Sequence, residues 1–380
     1  DPTHIRNDLE MALMVAMNDR PGPVVLSLPL DVLAAEMPEG TVQITHMPLP
    51  VVDTQEVDRC LTALAKSQRP IIIAGGGARS AGAALRRFAE TVGVHVFPTW
   101  NAIDIVPDDW PLFGGRIGTY GGKSFNKTIQ QADFALVLGC RLSGRITGGN
   151  TKSFLQVARR GHGIWHVDLD NSVLTDMESD VPHRQRIHAD VGDFLAKAQY
   201  RVRGMAEITP KTFREWRAQV SECRDSCDPV TLHTGVMVSA CPVCMATGTT
   251  NERGSATHAD GCTYTSKYLQ TSLNPYLFIR ELSRLAPDNA VVVSEVGGNA
   301  VIFHQAWESK LGQRIFSSHG GSAMGQGLPM AIGAAIAQPD RPVIAVIGDG
   351  GFTLAAAELN TMRVRKAWLK NLRVFVLNNR

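Results

Sequence analysis

The chain has 380 residues, more than one simple core accommodates, so two or three domains are expected. Its 38 Lys and Arg against 36 Asp and Glu leave a net charge of +2, which gives no reason to expect a nucleic-acid or membrane-surface partner. The longest apolar runs, "FALVLGC" (134–140) and "PVIAVIG" (342–348), are strand-sized and fall well short of the ~20 residues of a bilayer span.

In chain order, "THIRNDLEMALMVAMNDR" (3–20) reads as an amphipathic helix with Ile5, Leu9, Leu13 and Ala16 on one face. "PGPVVLSLPLDV" (21–32) follows as a strand with nothing before it to pair with. A domain does not usually begin with its last helix and strand, so residues 1–36 read as the remnant of a domain and the N-terminal boundary as a cut one. Residues 37–58 are rich in Pro and poor in periodicity, and read as a linker.

A βα rhythm occupies 59–200. Helix "CLTALAKSQ" leads to strand "PIIIAGGGA", then helix "AGAALRRFAETVG", strand "VHVFPTW", and the strand-like runs "ADFALVLGCR", "GIWHVDLD" and "RIHAD". Residues 201–272 break the rhythm and read as a second linker. From 273 to 380 it returns with helix "PYLFIRELSRLA", strand "AVVVSEVG", helix "LPMAIGAAIAQ", strand "PVIAVIGDG", helix "TLAAAELNTMRV" and strand "LRVFVLNN". Apolar strands without alternation, joined by helices, imply parallel sheets covered on both faces. The expected fold class is therefore α/β: two doubly wound parallel-sheet domains preceded by a remnant helix and strand.

Ligands of open α/β sheets sit at the carboxyl ends of strands. Gly348-Asp349-Gly350 and Asn378-Asn379 occupy two such ends, separated by residues 351 to 377. That interval holds one helix and one strand, so the two ends are expected to be neighbours. A carboxylate and an amide oxygen are hard ligands that suit Mg²⁺. Gly350 and Gly351 let backbone approach a diphosphate, with the following helix presenting its free N–H groups. An aspartate at such a place also serves as a helix cap, but the spacing to Asn-Asn favours the metal.

With these residues in view, the sequence resembles the thiamine diphosphate enzymes, whose signature is GDG, an interval of this size, then NN. The stretch "SSHGGSAMGQGLPMAIGAAIAQPDRPVIAVIGDGG" (317–351) is similar to the corresponding segment of the acetolactate synthase branch. The resemblance implies that Asp349 and the side chain of Asn379 hold Mg²⁺. It also implies that Met324 bends the cofactor, and that the carbonyl of Ser322 and N–H of Met324 hold its aminopyrimidine. Gly348, Gly350 and Gly351 would line the diphosphate. "RPGPVVLSLPLDV" looks like the exit from that family's pyrimidine-binding domain, and "RPIIIAGGGARSAGA" like the opening of its central domain.

Acetolactate synthases carry FAD in the central domain, and the resemblance implies it here. Gly75 and Gly76 in "AGGGA" would approach the pyrophosphate, Arg141 and Arg145 in "GCRLSGRITG" would pair with it, and Asp168 in "HVDLD" would take ribose hydroxyls. The sequence departs from the family where Ser143 and Gly144 replace acidic residues between the two arginines.

Five of the seven cysteines, Cys223, Cys227, Cys241, Cys244 and Cys262, lie between 223 and 262 with His233 and His258. A zinc site is one reading; a disordered insertion at 228–265, contributing nothing to catalysis, is the other and the one adopted.

The resulting expectation is thiamine diphosphate- and Mg²⁺-dependent decarboxylation of a small 2-oxo acid such as pyruvate, followed by carboligation. A 2-oxo acid decarboxylase on the same scaffold, or a non-catalytic nucleotide-binding or regulatory chain, are the alternatives; Glu295 in "SEVGG", where the family more often has Asp, reads as drift toward the latter. The resemblance implies a homodimer or homotetramer at full length, cytoplasmic or, in a eukaryote, organellar. The family's activating Glu and third Mg²⁺ ligand have no counterpart between 1 and 380, so the chain alone is expected not to turn over.

Overall fold

The structure is a computed structural model and describes residues 2–18, 20–36, 40, 48–175, 181, 184–226 and 274–378. Two separate parallel sheets organise it. The first contains β1 (Pro70–Ala74), β2 (Val96–Pro98), β3 (Phe134–Leu138), β4 (Ile164–Asp168) and β5 (Arg184–His188), in the order β2-β1-β3-β4-β5. The second contains β6 (Val291–Ser294), β7 (Arg314–Ser317), β8 (Val343–Gly348) and β9 (Leu372–Leu377), in the order β7-β6-β8-β9. All pairings are parallel.

The unalternating apolar runs have a physical cause. Side chains of a strand point alternately to its two faces. In β1, Ile72 and Ala74 pack into one apolar cluster and Ile71 and Ile73 into another. In β8, Ile344 and Val346 face one cluster while Val343, Ala345 and Ile347 face its counterpart. Each sheet is thus buried on both faces, as α/β architecture requires. Helices are seated by ordinary caps: Asp53 accepts the N–H of Gln55 at the start of Thr54–Lys66, and Asn274 accepts from Tyr276 and Leu277 at the start of Pro275–Leu285.

Four features differ from the sequence-based expectation. The strand expected at 21–32 is not formed: residues 21–29 pair with no strand, Leu30–Ala34 is a short helix, and Val25 is 92% exposed. An apolar run becomes a strand only when a neighbour takes its N–H and C=O groups. The linker assigned to 37–58 ends earlier, because the Asp53 cap starts a helix at Thr54. Within the stretch 201–272, helix Arg214–Ser226 packs on the first sheet, with Trp216 and Val220 in its core and Trp216 Nε1 donating to the carbonyl of Pro70 at 3.0 Å. The second sheet also holds an element not anticipated, β7, reached through helix Gly298–Ala306. Residues 228–265, the Cys-rich stretch, lie outside the described residues; Cys223 does not, and its sulfur accepts from Thr128 Oγ1 at 3.3 Å.

The two domains meet through buried polar contacts. Arg116 donates through Nη2 to both carboxylate oxygens of Asp108, at 2.6 and 2.7 Å, and through Nη1 to the carbonyl of His304 at 2.6 Å. Asp104 accepts from Arg314 at 2.7 Å and from the N–H of Ile315 at 3.0 Å, at the start of β7.

Candidate functional site

Both sheets have one winding order: the chain lays its second strand on one side of the first, then returns and grows on the other. The reversal leaves a crevice at the carboxyl ends of β1 and β3 in the first sheet and of β6 and β8 in the second, the usual place for a ligand.

In the second sheet, Gly348 ends β8 and pairs with Leu377 of β9. Asp349, which opens helix Asp349–Leu354, and Asn378 therefore directly follow the ends of adjacent strands. Asn379 lies outside the described residues. A Cβ on Gly297, Gly298, Gly320 or Gly348 would meet no atom within 4 Å, so this rim of backbone faces open space. Gly350 is covered: a Cβ there would stand 3.3 Å from Met324 Cε. The segment 318–326 thus lies over the Gly-Asp-Gly turn, with Ser322 in the left-handed region (φ 50°) and Met324 59% exposed.

Glu295, just past β6, has a place in this crevice that its reading as drift did not anticipate. It is only 1% exposed, and its carboxylate accepts the N–H of Gly327 at 2.8 Å and of Val296 at 3.2 Å. Gly351 and Gly327 leave room for it, since a Cβ on either would stand 2.8 or 2.6 Å from Glu295 atoms. Asn299, also buried, donates to the carbonyl of Val346 at 2.9 Å and ties β8 to the same corner.

The first crevice is built more tightly. A Cβ on Gly75 would run into the backbone of Gly139 and Cys140, and Gly77 donates its N–H to the carbonyl of Gly139 at 2.9 Å. Gly76 sits beside Asn101, 3.3 Å from its carbonyl by the same construction of a Cβ. Arg141 is exposed just beyond β3. Arg145 lies on the rings of Trp100 and Tyr120 and donates to the Tyr120 hydroxyl at 2.8 Å. Asp168 closes β4, accepts the N–H of Asp170 at 3.0 Å, and has its carboxyl pushed up by burial.

A cavity of about 470 Å³ opens elsewhere, between Phe113–Phe125 and His304–Lys310, and shares no lining residue with the Gly-Asp-Gly crevice. Among the described residues no group of three or more His, Cys, Asp or Glu side chains is placed to hold a metal by itself. No helix among them is long and apolar enough to cross a membrane.

Residues 57–198 match the family "Thiamine pyrophosphate enzyme, central domain", and residues 295–380 match "Thiamine pyrophosphate enzyme, C-terminal TPP binding domain". The chain belongs to the thiamine pyrophosphate enzyme family. The second match begins at Glu295 and includes every glycine of the Gly348–Gly351 turn.

Within this family the chain is similar to acetolactate synthases. It is 26% identical to a probable acetolactate synthase large subunit of Methanocaldococcus jannaschii, over 95% of this chain and 56% of that protein. It is 28% identical to the large subunit of acetolactate synthase isozyme 1 of Escherichia coli K12, over 97% of this chain and 57% of that one. Against the chloroplastic acetolactate synthase 1 of Zea mays the figures are 28%, 100% and 53%. The chain spans about half the length of these relatives.

Proposed function

We propose that this chain supplies the central and cofactor-binding domains of a thiamine diphosphate- and Mg²⁺-dependent enzyme that decarboxylates a small 2-oxo acid, such as pyruvate, and joins the remaining carbon unit to a second carbonyl. The observation that carries the reading is the packing of Met324 against the Gly348–Gly351 turn at the β6/β8 crevice.

The residues fit the cofactor. Gly297, Gly298 and Gly348 expose backbone to open space that any side chain would enter, which suits a diphosphate. Asp349 and Asn379 offer a carboxylate and an amide oxygen, the hard donors Mg²⁺ prefers. In this reading Asp349 and Asn379 hold the metal, and Gly348, Gly350 and Gly351 admit the diphosphate. The carbonyl of Ser322 and the N–H of Met324 grip the aminopyrimidine, while the Met324 side chain imposes the bend. When bound, the thiazolium ring supplies an electron sink for the loss of CO₂.

The central domain is assigned to FAD, held by Gly75, Gly76, Arg141, Arg145 and Asp168. Support comes from their gathering beyond the carboxyl ends of β1, β3 and β4, with Arg141 exposed there. The whole protein is read as a homodimer or homotetramer, cytoplasmic or organellar.

Equilibrium titration with thiamine diphosphate tests the site. Saturable binding that needs Mg²⁺ and is lost in Asp349→Ala is expected; binding indifferent to both overturns the reading. Flavin absorbance retained after incubation with FAD and desalting tests the central domain.

A further inference from the structure

We propose that Trp100, in the first domain, is a positioning residue for segment Ser318–Gln326 of the second, holding Ser322 and Met324 over the Gly348–Gly351 turn through the ring of His319. The proposal rests on the cofactor reading of that turn and adds to it a residue from the other domain.

The segment has little of its own to fix it. It carries Gly320, Gly321 and Gly325, and a Cβ on Gly320 would touch nothing within 4 Å. Ser322 occupies the left-handed region, which an L side chain enters at a cost. Internal restraint comes from the Ser322 N–H to the carbonyl of Ser318 at 2.7 Å and from Ser322 Oγ to the carbonyl of His319 at 3.2 Å. Of the side chains from Ser318 to Gln326, His319 alone is buried, at 4% exposure.

Its own domain contributes His304, edge-on at 6.2 Å, but the stacked face belongs to the other domain. The His319 ring stacks on Trp100 with centroids 4.8 Å apart and planes 13° apart. Tyr120 meets Trp100 edge-on at 5.2 Å, and the Arg145 guanidinium lies over the Trp100 ring. Trp100 is itself anchored, because the N–H of Thr99 donates to the carbonyl of Ala74 at the end of β1. The path of contact therefore runs from β1 through Trp100 to His319, which shares its short segment with Met324. Burial, with Arg145 second, lowers the His319 pKa to about 4, so a neutral ring is stacked at ordinary pH. Loss of a stacked ring pair corresponds to roughly a tenfold change in the balance between seated and released segment.

The test uses the whole chain as wild type, Trp100→Ala and Trp100→Phe, first without cofactor. Hydrogen exchange in peptides covering 318–326 should rise roughly tenfold in Trp100→Ala and return toward wild type in Trp100→Phe, with β3 and β8 unchanged. The thiamine diphosphate dissociation constant in Mg²⁺ should follow the same pattern, about tenfold weaker and then rescued. Unchanged exchange in Trp100→Ala, or no rescue by Phe, overturns the proposal. Should Trp100→Ala fail to fold, His319→Ala removes the stack from the segment side and must produce the same local exchange. If wild type binds no thiamine diphosphate while the exchange pattern holds, the cofactor reading is overturned and the coupling of the two domains stands.

Discussion

The Glu295 carboxylate receives the N–H of Gly327 at 2.8 Å, joining the end of β6 to the first turn of helix Gly327–Ala337. Both groups are buried. Glu295→Ala would leave that N–H without a partner, at a cost of about 1–3 kcal/mol. Glu295→Gln keeps an acceptor oxygen and should lose less. Urea unfolding of the two variants checks the order, and equal loss would contradict it. A carboxylate so engaged is a structural strut between β6 and helix Gly327–Ala337.

The glycines of the turn divide by what surrounds them. Gly348 has φ −76° and ψ 155°, ordinary for any residue, and open space at its Cβ position. Gly348→Ala should leave stability within about 0.5 kcal/mol and act on cofactor affinity alone. In Gly351→Ala the new methyl would stand 2.8 Å from Glu295 Cγ, and overpacking of this kind costs about 1–3 kcal/mol. Thermal melts paired with cofactor titration separate the two; a Gly348→Ala protein that binds like wild type would exclude close approach at that position.

Sequence legibility followed how local the cause was. The runs at 70–74 and 134–138 announce strands because both faces are buried, and the Gly-Asp-Gly turn is marked by its place at a strand end. Helix Arg214–Ser226 was missed although Phe213, Trp216 and Val220 recur at helical spacing, because the neighbouring cysteines and polar residues masked the pattern. The expected strand at 21–32 was apolar enough, yet its fate depends on a pairing partner that composition does not encode. Nothing local links Trp100 to His319, far apart in the sequence, so that contact came only with the fold.

Asp104 is the central polar group of the domain junction. Its side chain is 2% exposed and accepts from Arg79 at 3.1 Å, Arg314 at 2.7 Å and the N–H of Ile315 at 3.0 Å. Removing one member of a buried pair strands the other charge, a loss of about 3–5 kcal/mol. Since both arginines keep some solvent contact, Asp104→Ala should fall at the lower end, about 3 kcal/mol. The loss should include earlier melting of the second sheet, because Ile315 belongs to β7. Unfolding followed by hydrogen exchange checks this, and unaltered protection of β7 would count against the junction.

Acid should unfold the protein well before most carboxylates are protonated, because several histidines are held neutral in the core. Burial, then Arg224 and Arg217, lowers His95 to about 3; burial, then Arg184, lowers His166 to about 3; burial, then Arg145, lowers His319 to about 4. His304 is driven well below its ordinary value by burial, then Arg116 and His319. In the unfolded chain each titrates near 6.5. Between that value and the folded one the unfolded state binds more protons, so stability is complete above about pH 6.5 and declines as pH falls through the window. The decline is about 1.4 kcal/mol per pH unit for each histidine. Asp108 and Asp168, whose carboxyls are raised mainly by burial, oppose the trend between the unfolded value of about 3.9 and their higher folded ones, where the folded state binds more protons. Urea midpoints at pH 7.5, 6 and 5, conditions chosen to straddle the unfolded value of about 6.5, should therefore fall steeply on the acid side. His95→Gln, which cannot titrate, should flatten the slope by about 1.4 kcal/mol per unit. A profile level from pH 7.5 to 5, in the same titration about pH 6.5, would mean that these rings are charged or solvated in the folded protein.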